Sequence, residues 1–357
     1  MIRGSCRGYL HERGLGVLAA LLALSGCGDE AEPKPGVQWE VRPTRIIELL
    51  EDSVDPLGDI QDLVVARTGV IYVADRYQPR VRAFGRDGAL VSSFGQLGEG
   101  PFEFRTASAV SLDLEGRVLV LDGRLGRITR LTAGLEPDSL IYTSPRPRTQ
   151  MRALGPKQVL TTAPGPRSTG ITVFSQDWTP DWSTPSPVPS PPTEYPYMAS
   201  VGRTYVATGP DYLALAFSLI YEVRVFSAGG EELYQLPIPD DWATVRVPKL
   251  GEFAGASGQE KMRAWMAESN AIVSLDVVAD SLLVVTRGRL WAHESNRRSL
   301  AHEKIDVWSL RTGDYLLRSW DLPAGAEVVG GGDELVLLTG RPPAPWRIAF
   351  LEIGVQR

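Results

Sequence analysis

Short β-prone runs separated by turn residues recur from residue 60 to the end of the chain, and this recurrence limits the fold more than any other feature. The clearest unit begins with Gly69-Val70-Ile71-Tyr72-Val73-Ala74-Asp75 and continues with Arg80-Val81-Arg82-Ala83-Phe84. The turn Gly85-Arg86-Asp87-Gly88 then leads into Ala89-Leu90-Val91-Ser92-Ser93-Phe94-Gly95. Apolar runs joined by Arg-Asp-Gly read as a hairpin. Upstream, Ile60 to Ala66 supplies a fourth strand. The second strand recurs as Ile71-Tyr72-Val73, Val118-Leu119-Val120, Val159-Leu160-Thr161, Leu213-Ala214-Leu215, Leu283-Val284-Val285 and Leu335-Val336-Leu337. The third strand ends each time on a large apolar residue: Phe84, Leu131, Phe174, Phe226, Trp308 and Phe350. The interval between these landmarks is equal in units one, two and four and slightly longer in three and six. Only the fifth, Leu283 to Trp308, carries an inserted loop.

Six four-stranded units predict an all-β fold, a six-bladed β-propeller of antiparallel blades over residues 39–357. A twisted sheet with two apolar faces needs cover on both, and a closed ring of sheets provides it. The last unit ends at Phe350-Leu351-Glu352-Ile353 with little chain left, whereas Arg45-Ile46-Ile47-Glu48-Leu49-Leu50 has no hairpin partner of its own. That N-terminal strand is expected to complete the sixth blade, which also removes an exposed sheet edge.

Unit one resembles the NHL repeat, through Ile71-Tyr72-Val73-Ala74-Asp75, Arg80-Val81 and the tail Phe94-Gly95-Gln96-Leu97-Gly98-Glu99-Gly100-Pro101-Phe102-Glu103-Phe104. The resemblance is fullest over residues 60–105, weaker over 106–142, and a strand rhythm thereafter. It implies a propeller of a kind used mostly as a binding scaffold and in a minority of cases as an enzyme.

At the N-terminus, Arg3, Arg7 and Arg13 precede an apolar run from Gly14 to Leu24, followed by Ser25-Gly26-Cys27 and polar Gly28-Asp29-Glu30. This is the layout of an export signal, and the apolar run is too short to span a bilayer. Leu24-Ser25-Gly26-Cys27 resembles the lipobox of bacterial lipoproteins. That resemblance implies a signal peptide at 1–26, lipidation of Cys27 and a lipidated tether at 27–38. An ordinary secretory signal with a chance cysteine is the alternative. No later apolar run reaches spanning length, so attachment to the membrane is expected through lipid on Cys27 alone. The expected location is the cell envelope, on the periplasmic or extracellular side.

The 357 residues include 37 basic and 43 acidic ones, for a net charge of −6. Losing Arg3, Arg7 and Arg13 with the signal makes the remainder more acidic still. Such a chain has no general footprint for nucleic acid. Of its two cysteines, Cys6 leaves with the signal and Cys27 carries lipid, so no disulfide is expected.

Two pairs share one spacing in consecutive units, Asp75 with Arg80 and Asp122 with Arg127. A ring of ligand-binding charges is one reading; the repetition favours the other, in which each aspartate caps the turn after the second strand and pairs with the arginine. One insertion precedes the fifth unit, at about 239–270, and another interrupts it between its second and third strands, at 287–303. Within the first, residues 259–268 have helical composition, with Met262, Trp265 and Met266 at helical spacing. The second concentrates arginine, tryptophan and histidine. Connections between blades share a face with turns from second to third strands, so both insertions crowd one rim. Arg287, Arg289, Trp291 and Arg298 are the candidate ligand rim there; a solvated flap and a helix covering an apolar patch are the alternatives. The proline-rich tract from Thr179 to Pro196 reads as either a polyproline ligand or a stiff outer connection between blades three and four.

No catalytic residues are assigned. His293 and His302 alone remain beyond the signal, and there is no Gly-x-Ser-x-Gly elbow, phosphate-cradling loop or free thiol. Propeller lactonases hold calcium with Glu, Asn and Asp. Here the two asparagines, Asn270 and Asn296, fall in the insertions, so no cofactor is expected and calcium is unsupported. The expectation is therefore a monomeric, lipid-anchored envelope binding module for a protein or envelope glycan. A calcium-dependent propeller hydrolase or lyase of the lactonase kind is the alternative.

Overall fold

The computed structural model describes residues 37–50, 55–142, 148–162, 170–185, 202–243, 252–253, 255, 257–290, 301–340 and 344–356. The signal peptide, Cys27 and most of the tether lie outside the described residues. Among those described, 24 strands form six four-stranded antiparallel sheets arranged as a six-bladed propeller.

Blade one is β2 (Ile60–Val65), β3 (Ile71–Asp75), β4 (Arg80–Phe84) and β5 (Leu90–Phe94). Blade two is β6 (Ala109–Leu112), β7 (Val118–Asp122), β8 (Arg127–Leu131) and β9 (Pro137–Tyr142). Blade three is β10 (Arg148–Leu154), β11 (Lys157–Thr162), β12 (Ile171–Phe174) and β13 (Pro180–Thr184). Blade four is β14 (Thr204–Thr208), β15 (Tyr212–Phe217), β16 (Ile220–Ser227) and β17 (Glu232–Gln235). Blade five is β18 (Asn270–Val278), β19 (Leu282–Arg289), β20 (Ala301–Ser309) and β21 (Tyr315–Asp321). Blade six is β22 (Glu327–Gly330), β23 (Leu335–Leu338) and β24 (Arg347–Val355), with β1 (Trp39–Glu48) as its outermost strand. The first strand of each blade faces the axis and packs against its counterparts in neighbouring blades.

The period-two alternation of the strands explains the stacking. Ile71 and Val73 of β3 join Val336, Leu338, Ile348 and Phe350 of blade six. Their neighbours Tyr72 and Ala74 join Val110, Val118 and Val120 of blade two. Each second strand therefore glues two interfaces, and β3, β7 and β23 are buried at every residue. All six third-strand landmarks, Phe84, Leu131, Phe174, Phe226, Trp308 and Phe350, are buried. Each such side chain contributes roughly 1.5–3 kcal/mol by leaving water.

The ring closes as expected, but the closing strand starts earlier than Arg45. It runs from Trp39, because Trp39 and Val41 pack against the core of blades five and six. β1 pairs with β24 from Trp39↔Val355 to Glu48↔Arg347, with an irregularity between Pro43 and Arg45 that accommodates a proline at a sheet edge. Leu49 and Leu50 continue beyond the strand, and Leu50 bridges Ala89 of blade one.

The second insertion is shorter than 287–303. Arg287, Gly288 and Arg289 belong to β19, and His302 and Glu303 belong to β20. Arg287 pairs with Lys304, and Arg289 with Ala301, across an irregularity at Gly288. At Gly288 a Cβ would run into the Ala301 carbonyl, so the residue type is fixed by this close approach. The first insertion contains α1 (Gly258–Glu268), close to the helix expected at 259–268. Its Met262, Trp265 and Met266 rest on Phe217, Leu219, Val273 and Leu290, which is the apolar-cover reading of that helix. β13 lies inside the proline-rich tract as the outer strand of blade three.

Candidate functional site

Inner strands meet around the axis, so any side chain they point inward shares one channel. Blades two, four and six contribute small or apolar residues there, including Val110, Ser111, Ala207, Thr208 and Gly330. Blades one, three and five each place one charge near it: Asp62 on β2, Arg152 on β10 and Asp276 on β18. Arg152 and Asp276 line a cavity of about 200 Å³ to which all six inner strands contribute.

Asp62 and Arg152 form an ion pair, with Arg152 Nη1 donating to Asp62 Oδ2 at 3.1 Å and Nη2 to Oδ1 at 3.4 Å. The same Oδ2 accepts the Val110 backbone N–H of blade two at 3.1 Å. Arg152 also donates to the Met151 carbonyl at 2.9 Å. Burial pushes the Asp62 carboxyl above its ordinary range, and Arg152 partly counters this. Asp276 is 5% exposed and accepts the Ser274 hydroxyl. Burial raises its carboxyl too, against the Ser274 hydrogen bond and the charge of Arg152. Among the described residues, no arginine, lysine or histidine forms an ion pair with Asp276.

The cavity reaches Asp280 and Gly331-Gly332, in the turns between first and second strands of blades five and six. Ala279 and Asp280 both have positive φ, 48° and 58°, as a tight hairpin turn of this hand demands. These turns lie on the face opposite α1 and the second-to-third-strand loops. The rim anticipated from sequence and the charged cavity are therefore on different faces.

At the anticipated rim, Arg287 is 7% exposed and its fork is engaged. It donates to Asp241 at 3.0 and 3.1 Å, to Asp306 at 3.2 Å and to the Ser319 hydroxyl. Asp306 additionally accepts the Tyr315 hydroxyl at 2.5 Å and the Ser319 N–H at 2.9 Å. Hydrogen bonding to Arg287 holds the Asp241 carboxyl below its usual range, while burial pushes Asp306 up. Arg289 pairs with Glu303 at 3.3 Å and donates to the Glu268 carbonyl at 2.6 Å, tying α1 to blade five. Trp291 and Arg298 lie outside the described residues.

The repeated aspartates are turn caps. Asp75 accepts the N–H groups of Tyr77 and Gln78 at 3.0 and 3.1 Å and of Gly58 at 2.8 Å. Asp122 does the same for Arg124, Leu125 and Arg105 at 3.0, 3.0 and 2.6 Å. Each thereby fixes its own turn and the entry to its blade. The expected partner arginines go elsewhere: Arg80 binds Asp55 at 2.5 Å, and Arg127 the Glu99 and Glu103 carbonyls.

Among the described residues no group of three or more histidine, cysteine, aspartate or glutamate side chains is placed to hold a metal ion. For Asp62 and Asp276 the sequence signal is a lone charge in a mainly apolar inner strand, as in Ile60-Gln61-Asp62-Leu63-Val64-Val65, whereas β10 also carries Arg148, Thr149 and Gln150 and gives no such signal for Arg152.

No family model matches the chain, and no curated protein matches it by sequence. Solved structures do match its fold. A DUF4221 family member from Bacteroides vulgatus aligns with a TM-score of 0.63 at 11% identity, covering 89% of this chain and 99% of that one. A protein of Bacteroides fragilis aligns with a TM-score of 0.57 at 12% identity, covering 89% and 96%. The WD40 repeats of RRP9 align at 0.51 and 11% identity, covering 88% and 100%. At these identities the likeness is one of fold.

Proposed function

We propose that this chain is a lipid-anchored propeller of a bacterial envelope that acts as a binding module, taking a small polar ligand in its central channel. The carrying observation is the cavity walled by all six inner strands, with Arg152 and Asp276 on its wall and the partnered Asp62 beside them. Rigid inner strands of blades one, three and five hold those groups, which is what a pre-organised site needs. Anchoring rests on the N-terminal pattern ending at Cys27. No described helix is long and apolar enough to cross a membrane. Arg287 and Arg289 spend their charges on Asp241, Asp306, Glu303 and the Glu268 carbonyl, which favours the opposite face for the ligand.

Gly332 gives the test, since it lines the cavity and a Cβ there meets nothing within 4 Å. Gly332→Trp is expected to plug the channel while the propeller stays folded. Melting curves of both proteins against amines, sugars, amino acids and dicarboxylates should show a shift in the wild type that the plug removes. A compound that raises both melting temperatures equally binds outside the channel and overturns the reading. Fatty-acid labelling of the wild type, absent in Cys27→Ala, tests the anchor.

A further inference from the structure

We propose that the channel cavity takes a small organic cation, an amine or amidine, whose charge is held by Asp276. This deepens the channel reading above and rests on it. The two acidic groups of the trio are not equivalent. Asp62 has a guanidinium on both oxygens and a backbone N–H besides. Asp276, as deeply placed, has one neutral hydroxyl from Ser274. A buried carboxylate with a single neutral donor is costly unless a cation joins it. Arg152 acts on Asp276 through its charge but gives it no hydrogen bond, because its guanidinium is committed to Asp62 and to the Met151 carbonyl.

Summed over the trio, the channel has one negative charge more than it has positive ones. Asp280, exposed in the turn at the cavity mouth, adds another. The approach is therefore acidic from the entrance inward, which favours a positive ligand and disfavours an anion. The remaining wall includes Leu63, Val65, Leu112, Ala153 and Val277, which suits a short methylene stem. At about 200 Å³ the cavity fits a compact ligand of a few heavy atoms rather than a chain of sugars. A cation that pairs with Asp276 would also draw its carboxyl back toward the ordinary range.

The experiment is titration calorimetry of the folded chain with 1,4-diaminobutane and with succinate, a dianion of matching length. Wild type is expected to bind the diamine and not succinate. Asp276→Asn, which keeps shape and the Ser274 partner, should weaken the diamine by about tenfold or more. Gly332→Trp should remove binding without touching Asp276. Failure of wild type to bind the diamine overturns the proposal whatever the variants do. Diamine binding that survives both substitutions overturns it as well. Binding of succinate that the plug abolishes overturns the cation but leaves the channel as the ligand site.

Discussion

Asp62 and Arg152 lie 90 positions apart in sequence, in blades that are not neighbours, and meet at 3.1 Å beside the axis. Blade two stands between them and donates its Val110 N–H to the same carboxylate. One aspartate thus links three consecutive blades at their inner ends.

Removing one partner of that pair should cost more than removing both. Arg152→Met leaves the Asp62 carboxylate buried without its cation, and we expect a loss of about 3 kcal/mol. Asp62→Leu combined with Arg152→Met should recover most of it, because a buried pair and an apolar substitute of similar volume are near equal in stability. Urea unfolding of the single and double variants measures the difference, and equal losses in both would show that the pair is not coupled.

The channel also sets a pH dependence. Burial raises the Asp62 and Asp276 carboxyls in the folded state. The folded chain then binds more protons than the unfolded one at pH values between the ordinary carboxylate range, about 4, and those raised values. In that window stability contributed by these groups falls as pH rises. Facing Asp276 are Ser274, Arg152 and Asp62. Asp276→Asn should flatten the decline in melting temperature across that window; an unchanged slope would assign it to other carboxyls, such as the raised Asp306 of blade five.

In blade five, Arg287 binds Asp241 of the first insertion and Asp306 of β20 at once. Arg287→Leu strands Asp306, a fully buried carboxylate, and should cost about 3 kcal/mol or more. Arg287→Lys should not rescue it, because a lysine cannot fork to two acids. The insertion around Asp241 loses its tether in both variants and should be cut faster by trypsin. Cutting at the wild-type rate would show that the ion cluster does not hold the insertion down.

The propeller could be read from sequence because each blade repeats the same local chemistry. Turn residues, β-branched runs and a large residue ending the third strand need no distant partner to be recognised. The channel could not be read that way. Asp62, Arg152 and Asp276 stand on three separate inner strands with no local motif joining them, and only ring closure brings them together. Arg287-Gly288-Arg289 misled for a related reason. Two arginines around a glycine resemble a loop in isolation, yet Asp241, Asp306, Glu303 and the Glu268 carbonyl absorb both charges and leave the strand intact. Tertiary context overrode local preference.

The closing strand has a kinetic meaning. Thr44 donates its hydroxyl to the Phe350 carbonyl, 306 positions later. β1 is made first but finds its partner only after the last blade is complete. Contacts of such long range are slow to form. Because β1 pairs only with β24, the ring can be fastened only once the chain extends from Trp39 through Val355.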